Sequence, residues 1–234
     1  MKSFLTLLLL ALEIFLAQFS ARAGETWQDA LSRMPLGVSV AELNRTNCLK
    51  LLLPAFREDP TVKALVFMPG ATDEFYMFRR ARAKLTNAAP TLLDAINALT
   101  NQTLIQVTFR PPLLLLHTTE DPLEPLATIK DLDTASRIEG RPFIQHALYN
   151  DRDWDFLLPI LRKNLRAQFL PRIHSYDSFH FYRHSFAGWN LNGWEALQAL
   201  SLAGKTRFTI DDGVVTFEGD NRFMSEPKFD QFPR

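Results

Sequence analysis

Four segments of this chain recur in the same order further along it, and that recurrence constrains the fold more than any other feature. Leu51-Leu52-Leu53-Pro54-Ala55-Phe56-Arg57 returns as Phe156-Leu157-Leu158-Pro159-Ile160-Leu161-Arg162, an offset of 105. Asp73-Glu74-Phe75-Tyr76-Met77-Phe78-Arg79 returns as Asp177-Ser178-Phe179-His180-Phe181-Tyr182-Arg183, an offset of 104. Leu93–Thr100 returns as Trp194–Ser201, and Val107-Thr108-Phe109 as Phe208-Thr209-Ile210, both at 101. A slow drift in offset is what small insertions and deletions leave in a tandem duplication.

Each expected unit reads α-β-β-α-β-β. A first helix spans about 44–58 and 150–164, with Asn44 and Asn150 as N-caps whose side-chain oxygens take free first-turn amides. A short apolar strand follows near 62–68 and 166–171. A second strand lies near 75–85 and 179–187; in the first unit Phe75, Met77, Ala81 and Leu85 alternate with Tyr76, Phe78, Arg80, Arg82 and Lys84, which marks it as half-buried. Pro90 fits the opening turn of the second helix, where a missing amide proton costs nothing. Leu92, Ile96 and Leu99 form its apolar stripe. In the second unit Asn192 caps, Trp194, Leu197 and Leu200 form the stripe, and Gly204 stops the helix. The closing strands of that unit, 206–210 and 214–218, meet through Asp211-Asp212-Gly213, a strong hairpin signal. Arg110-Pro111-Pro112 reads as a turn that feeds a buried strand, Leu113–Leu116. Residues 24–43 are an opening helix with Trp27, Leu31 and Met34 on one face. Residues 119–149, rich in Pro, Asp and Thr, are expected to link the units, and the tail after Gly219 to be polar and loose. The expected class is α+β: small mixed or antiparallel sheets with packed helices, first unit 44–118, second unit 150–219, tail 220–234.

Residues 1–23 read as a cleavable secretory signal. Lys2 precedes an apolar run, and Ala21-Arg22-Ala23 places small residues at the two positions a signal peptidase reads, so the mature chain begins at Gly24. Glu13 inside the run opposes a permanent membrane span, and no second stretch is long enough for one. The remaining 211 residues carry 24 basic and 25 acidic side chains, a balance that points to neither nucleic acid nor an anionic membrane. Cys48 is the only cysteine, so no internal disulfide forms. It lies in an apolar helical run and reads as a small core residue rather than a nucleophile. The expected compartment is the periplasm or the exterior.

Ala89–Thr103 with Ile105–Phe109, and Leu191–Leu200 with Arg207–Ile210 and Val214–Phe217, resemble the short N-terminal domains of secretins and TonB-dependent receptors. The resemblance implies a small periplasmic module that contacts other envelope proteins. It covers about a third of the mature chain, through amphipathic patterning, and no secretin or receptor barrel segment follows.

Candidate chemistry gathers in two places. His174-Ser175-Tyr176-Asp177-Ser178-Phe179-His180-Phe181-Tyr182-Arg183-His184 holds three of the five histidines. On a strand, His180 and His184 would stand roughly 13 Å apart, too far to share one ion. His174 with Asp177 is freer to do so. The other place is Pro69-Gly70-Ala71-Thr72-Asp73-Glu74, after a strand, where Asp73 serves as a turn residue or as an acid. Glu74 points the other way on an extended chain. No phosphate cradle, nucleophile elbow or paired-cysteine motif occurs, and no cofactor is implied. The expected function is an exported binding or assembly module of the cell envelope. The alternative is a small hydrolase or metal-dependent enzyme built on Asp73 or on His174 and Asp177.

Overall fold

The computed structural model describes residues 26–36, 42–52, 61–68, 82–117, 122–152, 154–172 and 184–223. The first half builds α1 (Trp27–Ser32), β1 (Glu42–Asn44), α2 (Arg45–Leu52), β2 (Ala64–Phe67), β3 (Arg82–Lys84), α3 (Leu92–Gln102), β4 (Gln106–Arg110) and β5 (Leu113–His117). After β6 (Ala127–Ile129), the second half builds α4 (Leu132–Glu139), β7 (Pro142–Arg152), α5 (Trp154–Leu165), β8 (Gln168–Arg172), β9 (His184–Asn192), α6 (Gly193–Ala203), β10 (Thr206–Asp211) and β11 (Val214–Gly219). The protein is α+β.

Local chemistry sets the helix starts. Thr26 with Asp29, Thr91 with Asp94, and Asn192 with Glu195 each form a capping box, in which two side chains satisfy each other's backbone amides. Asn44 and Asn47 do the same for α2, at 3.0 and 2.8 Å. Gly204 ends α6. Asp212 and Gly213, at φ 47° and 75°, supply the two left-handed positions of the β10–β11 turn.

Pairings recur between the halves. β2 runs parallel to β5, with Ala64 opposite Leu113, and β8 runs parallel to β11, with Gln168 opposite Val214. β4–β5 and β10–β11 are antiparallel hairpins. β1 pairs antiparallel with β3, and β7 with β9. Pro35 bridges Thr91 as Pro142 bridges Asn192. Leu92 N–H donates to Met34 C=O at 2.8 Å, and Gly193 N–H to Arg141 C=O at 2.9 Å.

The strands make a five-stranded sheet in the order β4-β5-β2-β9-β7, a four-stranded sheet β6-β10-β11-β8, and the pair β1-β3. One core holds Leu31, Leu43, Cys48, Leu65, Leu114 and Leu116, with the first-half helices against the five-stranded sheet. The other holds Val66, Leu115 and Phe186 from that sheet together with Phe169, Phe208, Val215 and Phe217 from the four-stranded one. The second-half helices lie between the two sheets. That is why α6 is buried at Ala196, Leu197, Ala199, Leu200, Leu202 and Ala203, almost all round.

Several sequence expectations are corrected. The stretch 119–149 contains β6, α4 and most of β7. Asp131 caps α4, accepting from Thr134 N–H at 2.9 Å, while β6 and β7 acquire partners only when β10 and β9 arrive. Asn150 lies within β7, and the helix it was to cap begins at Trp154. Pro90 precedes the cap of α3, Thr91, instead of opening the helix. β9 continues to Asn192, past the expected end at 187. The opening helix is confined to Trp27–Ser32, and β1 starts at Glu42. The segment after Gly219 is docked as far as Phe223, with Asp220 and Phe223 buried and the Arg222 guanidinium on the Asp220 carboxylate. The strand expected at 75–85 is described only at Arg82–Lys84.

Candidate functional site

Asp73, His174 and Asp177 lie outside the described residues, as do Ala21, Ala23 and Gly24. The described flanks nevertheless have a common location. β2 and β5 finish side by side, where Met68 N–H donates to Leu116 C=O at 2.8 Å. β9 begins at the same end, with Ser185 opposite Phe67. Met68 and His184 therefore lie at one end of the five-stranded sheet. Beyond the carboxyl ends of parallel strands is where open α/β sheets carry ligands.

The polar groups described at this end include His117, Thr108 and Ser185, with Gln106 opposite His117. His117 is 4% exposed, and its Nε2 is 2.8 Å from Thr108 Oγ1. Strand alternation aims His117 with Leu115 toward the second-half helices. Ser185 alternates with Phe186 and shares the opposite face with Ala187. The sheet separates His117 from Ser185, so these two do not compose a nucleophile and its base. Sequence reading missed the His117–Thr108 pair. Its signal was a polar residue that closes the apolar run Leu113–Leu116; its partner depends on hairpin register.

The acids elsewhere in the described structure hold elements together. The Thr91 amide and hydroxyl hold Asp94 below the usual carboxylate range. The Arg110 guanidinium lowers Glu124. Arg110 also donates to Leu123 C=O at 3.1 Å, and Arg222 to Glu124 C=O at 3.0 Å, so residues 123–124 are gripped from both halves. Lys63 meets Glu195 at 2.7 Å, a second tie between the halves. Burial pushes the Cys48 thiol up to about 12, so it packs as an inert core residue. Among the described residues, no group of three or more His, Cys, Asp or Glu could hold a metal ion.

Among the described residues, Asp131 is the most perturbed acid. Thr134, first through its amide and then its hydroxyl, and the Gly213 amide hold its carboxyl at about 2. The Gly213 N–H is 2.9 Å away, so one carboxylate caps α4 and clasps the β10–β11 turn. Its folded value is depressed below the ordinary value of about 3.9. The stabilisation is therefore present above about pH 4 and lost as pH falls through about 2. Asp131→Ala is expected to lower Tm at neutral pH and to flatten the decline of Tm with acid in that window. Circular dichroism melts across the pH series check both.

A separate surface surrounds β6. Leu126, Ile129 and Leu132 are 41%, 38% and 72% exposed. Phe208 N–H donates to Leu126 C=O at 3.0 Å and Lys130 N–H to Ile210 C=O at 2.9 Å. Residues 126, 128 and 130 thus face β10, and alternation turns the backbone groups of Ala127 and Ile129 outward. β6 ends its sheet, so this edge presents a donor–acceptor row flanked by apolar side chains.

Among the described residues no helix is long and apolar enough to cross a membrane. No known protein family, no curated protein and no solved structure matches this chain.

Proposed function

We propose that the chain is an exported binding or assembly module of the cell envelope, and that it takes an extended apolar segment of another envelope protein along the outer edge of β6. The observation that supports this reading is the coincidence of outward backbone groups at Ala127 and Ile129 with exposed Leu126, Ile129 and Leu132. An extended segment recognises such an edge through main-chain hydrogen bonds, while its alternate side chains use the apolar flanks. The resemblance of two segments to short periplasmic domains of secretins and TonB-dependent receptors agrees with that habit and that compartment.

The test is a photo-crosslinking residue placed at Leu132 and, separately, at Leu104, which is 67% exposed and lies away from β6. In native envelopes, a discrete adduct is expected from position 132 and none from 104. Leu126→Asp with Ile129→Asp should abolish it without lowering Tm. Equal labelling from both positions, or none from 132, overturns the reading.

A second reading rests on the shared sheet end. Asp73 follows Met68 in the chain, and His174 and Asp177 precede His184, the two described residues at that end; a hydrolase or metal-dependent site would draw on those acids and that histidine. An activity lost in Asp73→Ala with Asp177→Ala, at unchanged Tm, would move the function to that end.

A further inference from the structure

The two halves meet through one strand joint. Trp189 N–H donates to Lys63 C=O at 2.8 Å, which makes Lys63–Trp189 a hydrogen-bonded pair of the antiparallel β2–β9 ladder. Alternation then makes Leu65–Ala187 and Phe67–Ser185 hydrogen-bonded pairs as well. Through this joint a strand of the second half completes the sheet of the first.

By position and pairing, β3 is the counterpart of β9, and β8 the counterpart of β2. A second copy of the chain could repeat the joint by laying its β3 against β8 of the first. Both edges are obstructed. At β3, the Gln102 side chain accepts from Lys84 N–H and donates to Lys84 C=O, both at 2.9 Å. Lys84 corresponds to Ala187, whose backbone groups face β2. In α6 the residue that corresponds to Gln102 is Ala203, which has no amide to offer, and β9 is free to pair.

At β8, Gln168 N–H faces Gly213 C=O, at 3.4 Å, so Phe169 and Pro171 turn their backbone groups to the outer edge. They correspond to Leu65 and Phe67, the residues through which β2 receives β9. The Phe169 C=O already accepts from Arg162 Nη2 at 3.1 Å, and Pro171 has no N–H to donate. The outer face of this sheet is mostly polar along β11, with Leu170 of β8 exposed beside Thr216. Thr216 and Glu218 stand where the first sheet has the buried Leu115 and His117, and Arg207 and Arg172 flank Glu218 at 3.0 and 3.7 Å. A terminal repeat needs such a face, because no neighbour covers it.

We propose that the chain is a tandem duplication whose internal strand joint is barred from recurring between copies: Gln102 closes β3, and Arg162 with Pro171 closes β8. The bar stops head-to-tail addition of a second copy, the failure by which heterologous contacts grow into fibres. It is independent of the function proposed for β6, which lies at the other edge of the four-stranded sheet.

The experiment opens one edge at a time in the full chain. Gln102→Ala exposes β3; Arg162→Ala with Pro171→Val exposes β8. Each variant alone should sediment as a monomer. An equimolar mixture should form a 1:1 dimer of twice the mass that grows no further, and a chain with all three substitutions should form longer, concentration-dependent oligomers. Hydrogen exchange reads the Gln102 contact directly: the Lys84 amide should exchange about tenfold faster in Gln102→Ala than in the native chain. Equally fast exchange in the native chain, or a mixture that stays monomeric while both variants keep their native Tm, overturns the proposal. So does head-to-tail assembly of the native chain itself.

Discussion

Phe217→Ala is expected to cost about 3–5 kcal/mol of folding stability, a drop in Tm on the order of 10 °C for a chain of this size. Phe217 is fully buried in the layer between the two sheets. Its ring lies 4.5 Å from that of Trp154 and 5.8 Å from that of Phe208, which pairs with it across the hairpin. Removing it takes away the contact between β11 and α5 and leaves a hole that rigid sheets on either side cannot close. Thr216→Ala, one residue away on the outer face, should change stability by less than about 0.5 kcal/mol. Urea unfolding of both variants checks the pair. Similar losses at 216 and 217 would mean that the outer face is not the outer face.

Gly193→Ala should be nearly as damaging, about 3 kcal/mol or more, and should reduce the yield of folded protein. A Cβ at Gly193 would collide with the Ile138 carbonyl oxygen and lie 2.8 Å from both Ile138 Cγ2 and Leu165 Cδ2. The obstacle includes backbone, so no rotamer change relieves it. Gly193 opens α6 where that helix crosses the end of α4, and its amide bonds Arg141. Gly140→Ala is the control. A Cβ there meets only Ser136 O, at 3.4 Å, and the backbone is already right-handed helical, at φ −69°. That substitution should be neutral or stabilising by about 0.4–1 kcal/mol, since it restricts the unfolded chain. Calorimetry that ranks the two glycines the other way would contradict the described crossing of α4 and α6.

Gly193 also shows why some of the fold was not legible. Its counterpart in the first half is Leu92, which opens α3 and is equally buried. Nothing local distinguishes the two positions. The demand for glycine comes from Ile138 and Leu165, residues brought close only by packing. The apolar positions of α6 are a similar case. They read as one stripe through Trp194, Leu197 and Leu200, yet Ala196, Ala199, Leu202 and Ala203 are buried as well, because a second sheet covers the far side of the helix.

The candidate sites divide in the same way. Asp73, His174 and Asp177 stood out because acids and histidines cluster beside apolar strands, a local pattern. That the end of β2 and the start of β9 share one sheet end follows from their antiparallel pairing, between residues more than a hundred positions apart. The β6 edge was hidden altogether. Its residues lie in a Pro- and Asp-rich stretch with the composition of a linker, and three residues become a strand only because β10 offers them a parallel edge.

What the sequence determined by itself is therefore whatever a few neighbouring residues can satisfy. Asn44 and Asn192 cap their helices, Gly204 ends one, Asp212-Gly213 turns a hairpin, and Leu113–Leu116 forms a buried strand, all as their local chemistry dictates. The tertiary structure alone decided which sheet each strand joined. β9 pairs with β7 of its own half and on its other edge with β2 of the first, while β3, its counterpart, did not join β8. Most residues offer a strand the same backbone groups, so the choice of partner rests with what occupies or removes those groups: the Gln102 amide over Lys84, Arg162 over Phe169, and the missing donor of Pro171 within β8.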